Sequence, residues 1–239
     1  MRYILIAAAV IPAIVLLIRV YRADRLEREP TGLLLSLVLY GILATAFASL
    51  AERGGSWLLQ RIWPGGKVSY TFVFCFFVVG LAEEGFKYLL LRRRTWNSPS
   101  FNCQFDGVVY AVFVSLGFAL WENVGYVLRY GLGTAALRAV TAVPGHACFG
   151  VFMGVWYGLA KRYELAGKPA RSKRARRAAL WLPVALHGCY DFIASLSSSV
   201  FSLIFIAFVA VLFIVSFRLV RRASQQDEYF YDGAGPWGV

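Results

Sequence analysis

The sequence predicts an all-α fold: a polytopic membrane helix bundle of about seven transmembrane helices, with the N-terminus outside and the C-terminus cytosolic. Three observations predict it. Of the 239 residues, 59% are hydrophobic and the mean hydropathy is +0.61, more than a water-soluble domain carries. The apolar residues gather into runs, each near the ~20 residues a helix needs to cross the hydrocarbon core. The basic residues crowd one set of alternate loops.

The first span, 3–20, follows Arg2 and runs into Arg19, Arg22, Arg25 and Arg28. It lacks a small-residue cleavage site and reads as a retained anchor, not a signal peptide. The second, 32–50, is apolar throughout. The third, 68–91, contains Glu83, Glu84 and Lys87 inside apolar sequence. A charge at the bilayer centre costs roughly 2.5–3.5 kcal/mol on insertion scales, so this pair is not there for stability. The fourth span, 107–128, opens after Asp106, a candidate helix N-cap, and carries Glu122 and Asn123. The fifth, 135–160, holds His146 just after Pro144, which supplies a kink. It continues into a Gly150, Gly154, Gly158 stripe expected to pack against a neighbouring helix. The sixth, 178–197, holds His187 and Asp191, and the seventh, 200–220, is apolar.

Eighteen of the 25 Lys and Arg fall in the loops after spans one, three and five and at the C-terminal end. Six fall on the opposite side, and Lys87 lies within a span. This positive-inside bias sets the orientation. It also accounts for the formal charge of +12 through the lipid bilayer, so no nucleic-acid partner is expected. The basic loop 161–177 is a solvated loop near anionic headgroups. Tyr70, Trp96, Trp156 and Trp181 fall where interfacial aromatics belong. The four cysteines, Cys75, Cys103, Cys148 and Cys189, form no CxxC and imply no disulfide framework. Residues 1–222 read as one integral-membrane domain with a core at about 68–197, and 223–239 as a flexible cytosolic tail.

Both histidines of the chain fall within spans. By helix rise, Glu83, Glu84, Glu122, His146 and His187 occupy one slab roughly 12 Å thick, so four consecutive helices can feed one buried site. Glu83 and Lys87 are i,i+4 and Glu84 and Lys87 i,i+3, so the lysine shares a face with both acids. His187 and Asp191 are i,i+4, which lets the carboxylate fix the ring's tautomer. Carboxylates and imidazoles in a dry pocket suit water activation. A zinc version uses His146, His187 and Glu122 as ligands with Glu83 or Glu84 as base. A metal-free version uses a glutamate-activated water and a histidine oxyanion hole. Neither HExxH nor G-x-S-x-G occurs. A proton- or cation-coupled transporter is the competing class, because such residues also mark ion pathways.

The ordered set Glu83-Glu84-x-x-Lys87, Phe118-x-x-x-Glu122-Asn123, His146 and His187-x-x-x-Asp191 resembles the PrsW family of intramembrane proteases, related to the CAAX prenyl endopeptidases. Phe105-Asp106-Gly107-Val108-Val109-Tyr110 is similar to a stretch of that family before its second motif. The resemblance covers roughly residues 79–194. It implies an endopeptidase of the cell membrane that cuts a membrane-anchored protein, as known members cut an anti-sigma factor to start a stress-signalling cascade. It implies Glu83 as the water-activating base, supported by Glu84 and Glu122, with His146 assisting and His187 with Asp191 holding the oxyanion. A divalent metal such as zinc stays open as cofactor. The CAAX relatives have a histidine-containing second motif where this chain has Glu122-Asn123, a departure that speaks against a prenyl substrate.

Overall fold

The computed structural model describes residues 2–230. The chain forms α1 (Arg2–Ala23), α2 (Thr31–Ile62), α3 (Lys67–Val73), a π-helical stretch Phe74–Gly80, α4 (Leu81–Thr95), α5 (Asp106–Tyr130), α6 (Leu132–Val140), α7 (Ala142–Leu165), α8 (Pro169–Ala194) and α9 (Ser199–Gln225). The fold is all-helical, as expected.

Among the described residues, five segments are long and apolar enough to cross a membrane: Tyr3–Ala23, Thr31–Ile62, Asp106–Tyr130, Leu132–Leu165 and Ser199–Gln225. The stretches expected as the other two spans form helices, α3 through α4 and α8. In the first, the π-helical stretch separates the seven residues of α3 from the 15 of α4, and α8 begins with a basic run.

The core is built around α5. It is buried from Asp106 to Ala119 and packs against α7, α2 and α1. The glycine stripe explains the closest approach. A Cβ at Gly107 would lie 2.6 Å from the Gly158 nitrogen, and one at Gly154 would strike the Val108 and Gly107 backbones. The expected packing role of Gly150, Gly154 and Gly158 is thus met within the chain, against α5.

Three local expectations change. Pro144 does not kink a helix. The break comes earlier, at Thr141, and Pro144 lies in the first turn of α7, where its missing N–H costs nothing. Asp106 is not an N-cap but the first residue of α5. Its Oδ2 accepts from the Asn102 and Cys103 amides at 3.0 and 2.7 Å, closing the preceding loop instead. Trp96 is buried and donates to Glu164 at 2.9 Å.

One end of the bundle gathers the loops after α1, α4 and α7 with the end of α9. Asn102 donates to Glu27 there, and Ser224 to the Ala23 carbonyl. Residues 223–230, placed by sequence in a flexible tail, include the last turn of α9 and a docked segment. Phe105 N–H donates to Asp227 and Phe230 N–H to the Asn102 carbonyl, at 2.9 and 2.8 Å. The rest of the expected tail lies outside the described residues.

Candidate active site

The site begins with the i,i+3 and i,i+4 geometry of α4. Glu83, Glu84 and Lys87 project from one side of its first two turns, and all three are buried. Lys87 Nζ donates to Glu84 Oε1 at 2.7 Å and to Glu83 Oε2 at 3.3 Å. The ammonium also sits 3.9 Å over the Phe118 ring of α5, a face that attracts a cation. The π-helical stretch leads directly into this turn.

The neighbouring helices complete the cluster. His146, in the second turn of α7, faces Lys87 Nζ with Nδ1 at 3.1 Å and Glu122 Oε2 with Nε2 at 3.1 Å. An ammonium has only protons to give, so Nδ1 presents its lone pair and Nε2 carries the proton that Glu122 accepts. His187, in α8, has Nδ1 2.9 Å from Glu84 Oε1, with Nε2 3.4 Å from Asp191 Oδ2 and 3.9 Å from Glu83 Oε2. Phe149 stacks on the His187 ring at 4.8 Å, and the two imidazoles lie 5.4 Å apart.

The acids and histidines expected to converge do so, with one rearrangement. Glu83, Glu84, His146 and His187 each offer a donor atom within 4.8 Å of the others. Glu122 stands behind His146 rather than in this inner group, because Arg138 holds its Oε2 at 2.6 Å. Asn123 points away from the acids. It accepts from Arg138 Nε at 2.9 Å and donates to the Ala9 carbonyl at 2.8 Å, tying α1 to the site wall.

Arg138 and Glu52 are residues that sequence reasoning missed. Both line the same cavity of about 410 Å³, together with Glu83, Glu122, His146, His187 and Asp191. Arg138 belongs to the short helix α6 and reads in sequence as one more charge of an outer loop. Glu52 has no charged neighbour at helical spacing that would mark it. Glu84 is absent from the cavity wall and is fully buried, so the two adjacent acids differ in access.

Two carboxylates facing one ammonium leave a negative charge that an imidazolium, a shared proton or a metal ion must balance. Glu84 Oε2 is buried without a hydrogen-bond partner among the described residues. An orphaned carboxylate oxygen beside two imidazoles, each oriented by an outer carboxylate, fits the donor chemistry of a divalent hydrolytic metal.

Comparison with known proteins follows the same lines. A family profile described as "PrsW family intramembrane metalloprotease" matches residues 29–219. The chain is 32% identical to Protease PrsW of Oceanobacillus iheyensis over 223 residues, covering 92% of this chain and 96% of the relative. It is 32% identical over 197 residues to Protease PrsW of Bacillus subtilis, covering 82% and 85%. It is 29% identical over 236 residues to Protease PrsW of Clostridioides difficile, covering 97% and 96%. No solved structure matches the chain. These relatives are peptidases by name, which disfavours the transporter reading.

Proposed function

The chain belongs to the PrsW family of intramembrane proteases and is a multi-pass peptidase of the cell membrane, and on that premise we propose that it hydrolyses a peptide bond of a membrane-anchored protein with Glu83 as the base. The observation that carries this reading is the buried group Glu83, Glu84, His146 and His187, with only Glu83 of the two acids reaching the cavity.

In this mechanism Glu83 takes a proton from water held in the cavity and returns it to the leaving amine. Glu84, locked to Lys87 at 2.7 Å, keeps the ammonium and His187 in place. His187, oriented by Asp191, donates toward the oxyanion that forms at the scissile carbonyl, while His146, its Nε2 proton held by Glu122, positions Lys87 beside the acids. Glu84, His146 and His187 would hold a divalent metal, with Glu83 left as the base and Glu122 and Asp191 as outer supports. When bound, such an ion lowers the pKa of water and polarises the carbonyl.

The topology proposed is seven crossings with the N-terminus outside, α3 through α4 and α8 included, and a catalytic core at about 68–197. The basic residues at the α1, α4, α7 and α9 ends support it. On that orientation the cavity mouth, near Arg138 and Ser195, faces the outer leaflet. The substrate proposed is therefore the extracytoplasmic stretch of a membrane-anchored protein such as an anti-sigma factor.

The test is cleavage of such a substrate in proteoliposomes, with and without a chelator. The wild type cleaves and Glu83→Gln does not, while Glu83→Gln keeps the wild-type gel-filtration profile. Wild-type cleavage by a folded Glu83→Gln protein refutes the assignment. Loss of cleavage on chelation, restored by zinc, supports the metal version.

A further inference from the structure

A second acidic cluster lies at the opposite end of α5, roughly 24 Å from Glu122 along the helix at 1.5 Å per residue. Asp24 and Glu29, on the α1–α2 connection, meet Asp106 at the start of α5. Each offers an oxygen within 4.8 Å of the others, and they are only 5%, 5% and 1% exposed. Asp106 also shares a group with Asp227, from the segment that follows α9, and Cys103.

Among the described residues the cluster lacks cationic partners, and several of its oxygens lack hydrogen-bond donors. Both oxygens of Asp24, Glu29 Oε2 and Asp227 Oδ2 are buried with no hydrogen-bond partner among the described residues. Among those residues, none of the four carboxylates lies within salt-bridge distance of a basic nitrogen. Arginines are close at hand but turned elsewhere. Arg28 lies over the Tyr21 ring and Arg162 pairs with Glu228. Burying several unpaired carboxylates side by side is costly, and water-exposed neighbours do not relieve it.

We propose that Asp24, Glu29 and Asp106 form a structural site for a hard divalent cation, Mg²⁺ or Ca²⁺, with Asp227 completing its rim. Oxygen-only donors select these ions. Cys103 groups with Asp106 and Asp227 but is not one of the three groups that meet at Asp24, Glu29 and Asp106. The spacing also suits such an ion. Calcium takes oxygens at about 2.3–2.6 Å and magnesium at about 2.0–2.1 Å, so oxygens within 4.8 Å of one another can share one ion. The cation ties together three segments distant in sequence: the first connection, the loop entering α5, and the chain beyond α9.

The test uses full-length protein in detergent, stripped with EDTA and dialysed. Adding millimolar MgCl₂ or CaCl₂ raises the unfolding midpoint of the wild type by several degrees. The Asp24→Asn midpoint rises less than the wild type's, any remaining shift coming from a cation at the other cluster. An unresponsive wild type, or an equal response in Asp24→Asn, overturns the proposal. Should Asp24→Asn not fold, bound Mn²⁺ counted by electron paramagnetic resonance on Glu29→Gln decides. One ion fewer than wild type supports the site, and equal stoichiometry removes it.

Discussion

Glu83 and Glu84 are adjacent in the chain but not in environment. Glu83 reaches the cavity and bonds Lys87 at 3.3 Å, while Glu84 is sealed behind it at 2.7 Å. On the proposed mechanism, Glu83→Gln lowers kcat by about 10²–10⁴-fold and leaves the unfolding midpoint close to wild type. Lys87→Ala behaves differently. It leaves two buried carboxylates uncompensated and destabilises the fold by about 3–5 kcal/mol, read as a lowered midpoint and poor recovery from the membrane. Glu122→Gln keeps the fold but loosens the His146 ring, with an expected loss of about 10–100-fold in activity. The pairings Glu83–Lys87, Glu84–Lys87 and His187–Asp191 were legible, because helical spacing fixes them. Arg138 was not, since its ion pair with Glu122 depends on how α6 folds back, and nothing local encodes that.

At the scale of elements, the contact of α5 with α7 is set by backbone approach. Gly154→Ala inserts a methyl group against Val108 and Gly107 and is expected to cost about 1–3 kcal/mol as overpacking. The glycine spacing made this contact legible, though not its partner. The π-helical stretch Phe74–Gly80 was not legible, as its residues are ordinary apolar ones. Deleting Val78 would turn everything downstream by about 100° and swing Glu83 off the cavity wall. Loss of activity with a preserved helical circular-dichroism signal is the expected result. The α1–α2 connection carries its own prediction. Burial, with the charge of Asp227 nearby, raises Asp24 to about 6, and burial raises Glu29 to about 7. Without a bound cation the native form holds protons that the unfolded chain has released. Stability is then full below about pH 4 and declines as pH rises through about 6 and 7. Thermal scans in EDTA show this fall, and Asp24→Asn flattens it.

At the scale of the whole molecule, the all-helical class and its membrane setting were legible from composition alone, as was the order of the site motifs. The break at Thr141 was not, because Pro144 drew attention to the wrong residue. The docking of 227–230 was equally hidden. A short polar stretch with two aromatics reads as solvent-exposed until Phe101 is in place to receive Phe230. The rods α3 through α4 and α8 supply Glu83, Glu84, Lys87, His187 and Asp191. On the proposed topology, these segments carry charged groups into lipid that they cannot shield unaided. During biogenesis they depend on companions. A nascent chain halted after α4 has no Phe118 or His146 to shield its acids, and it should linger at the insertion machinery until α5 and α7 emerge. The enzyme's polar centre is therefore a late product of assembly, and a half-made protease has nothing with which to cut.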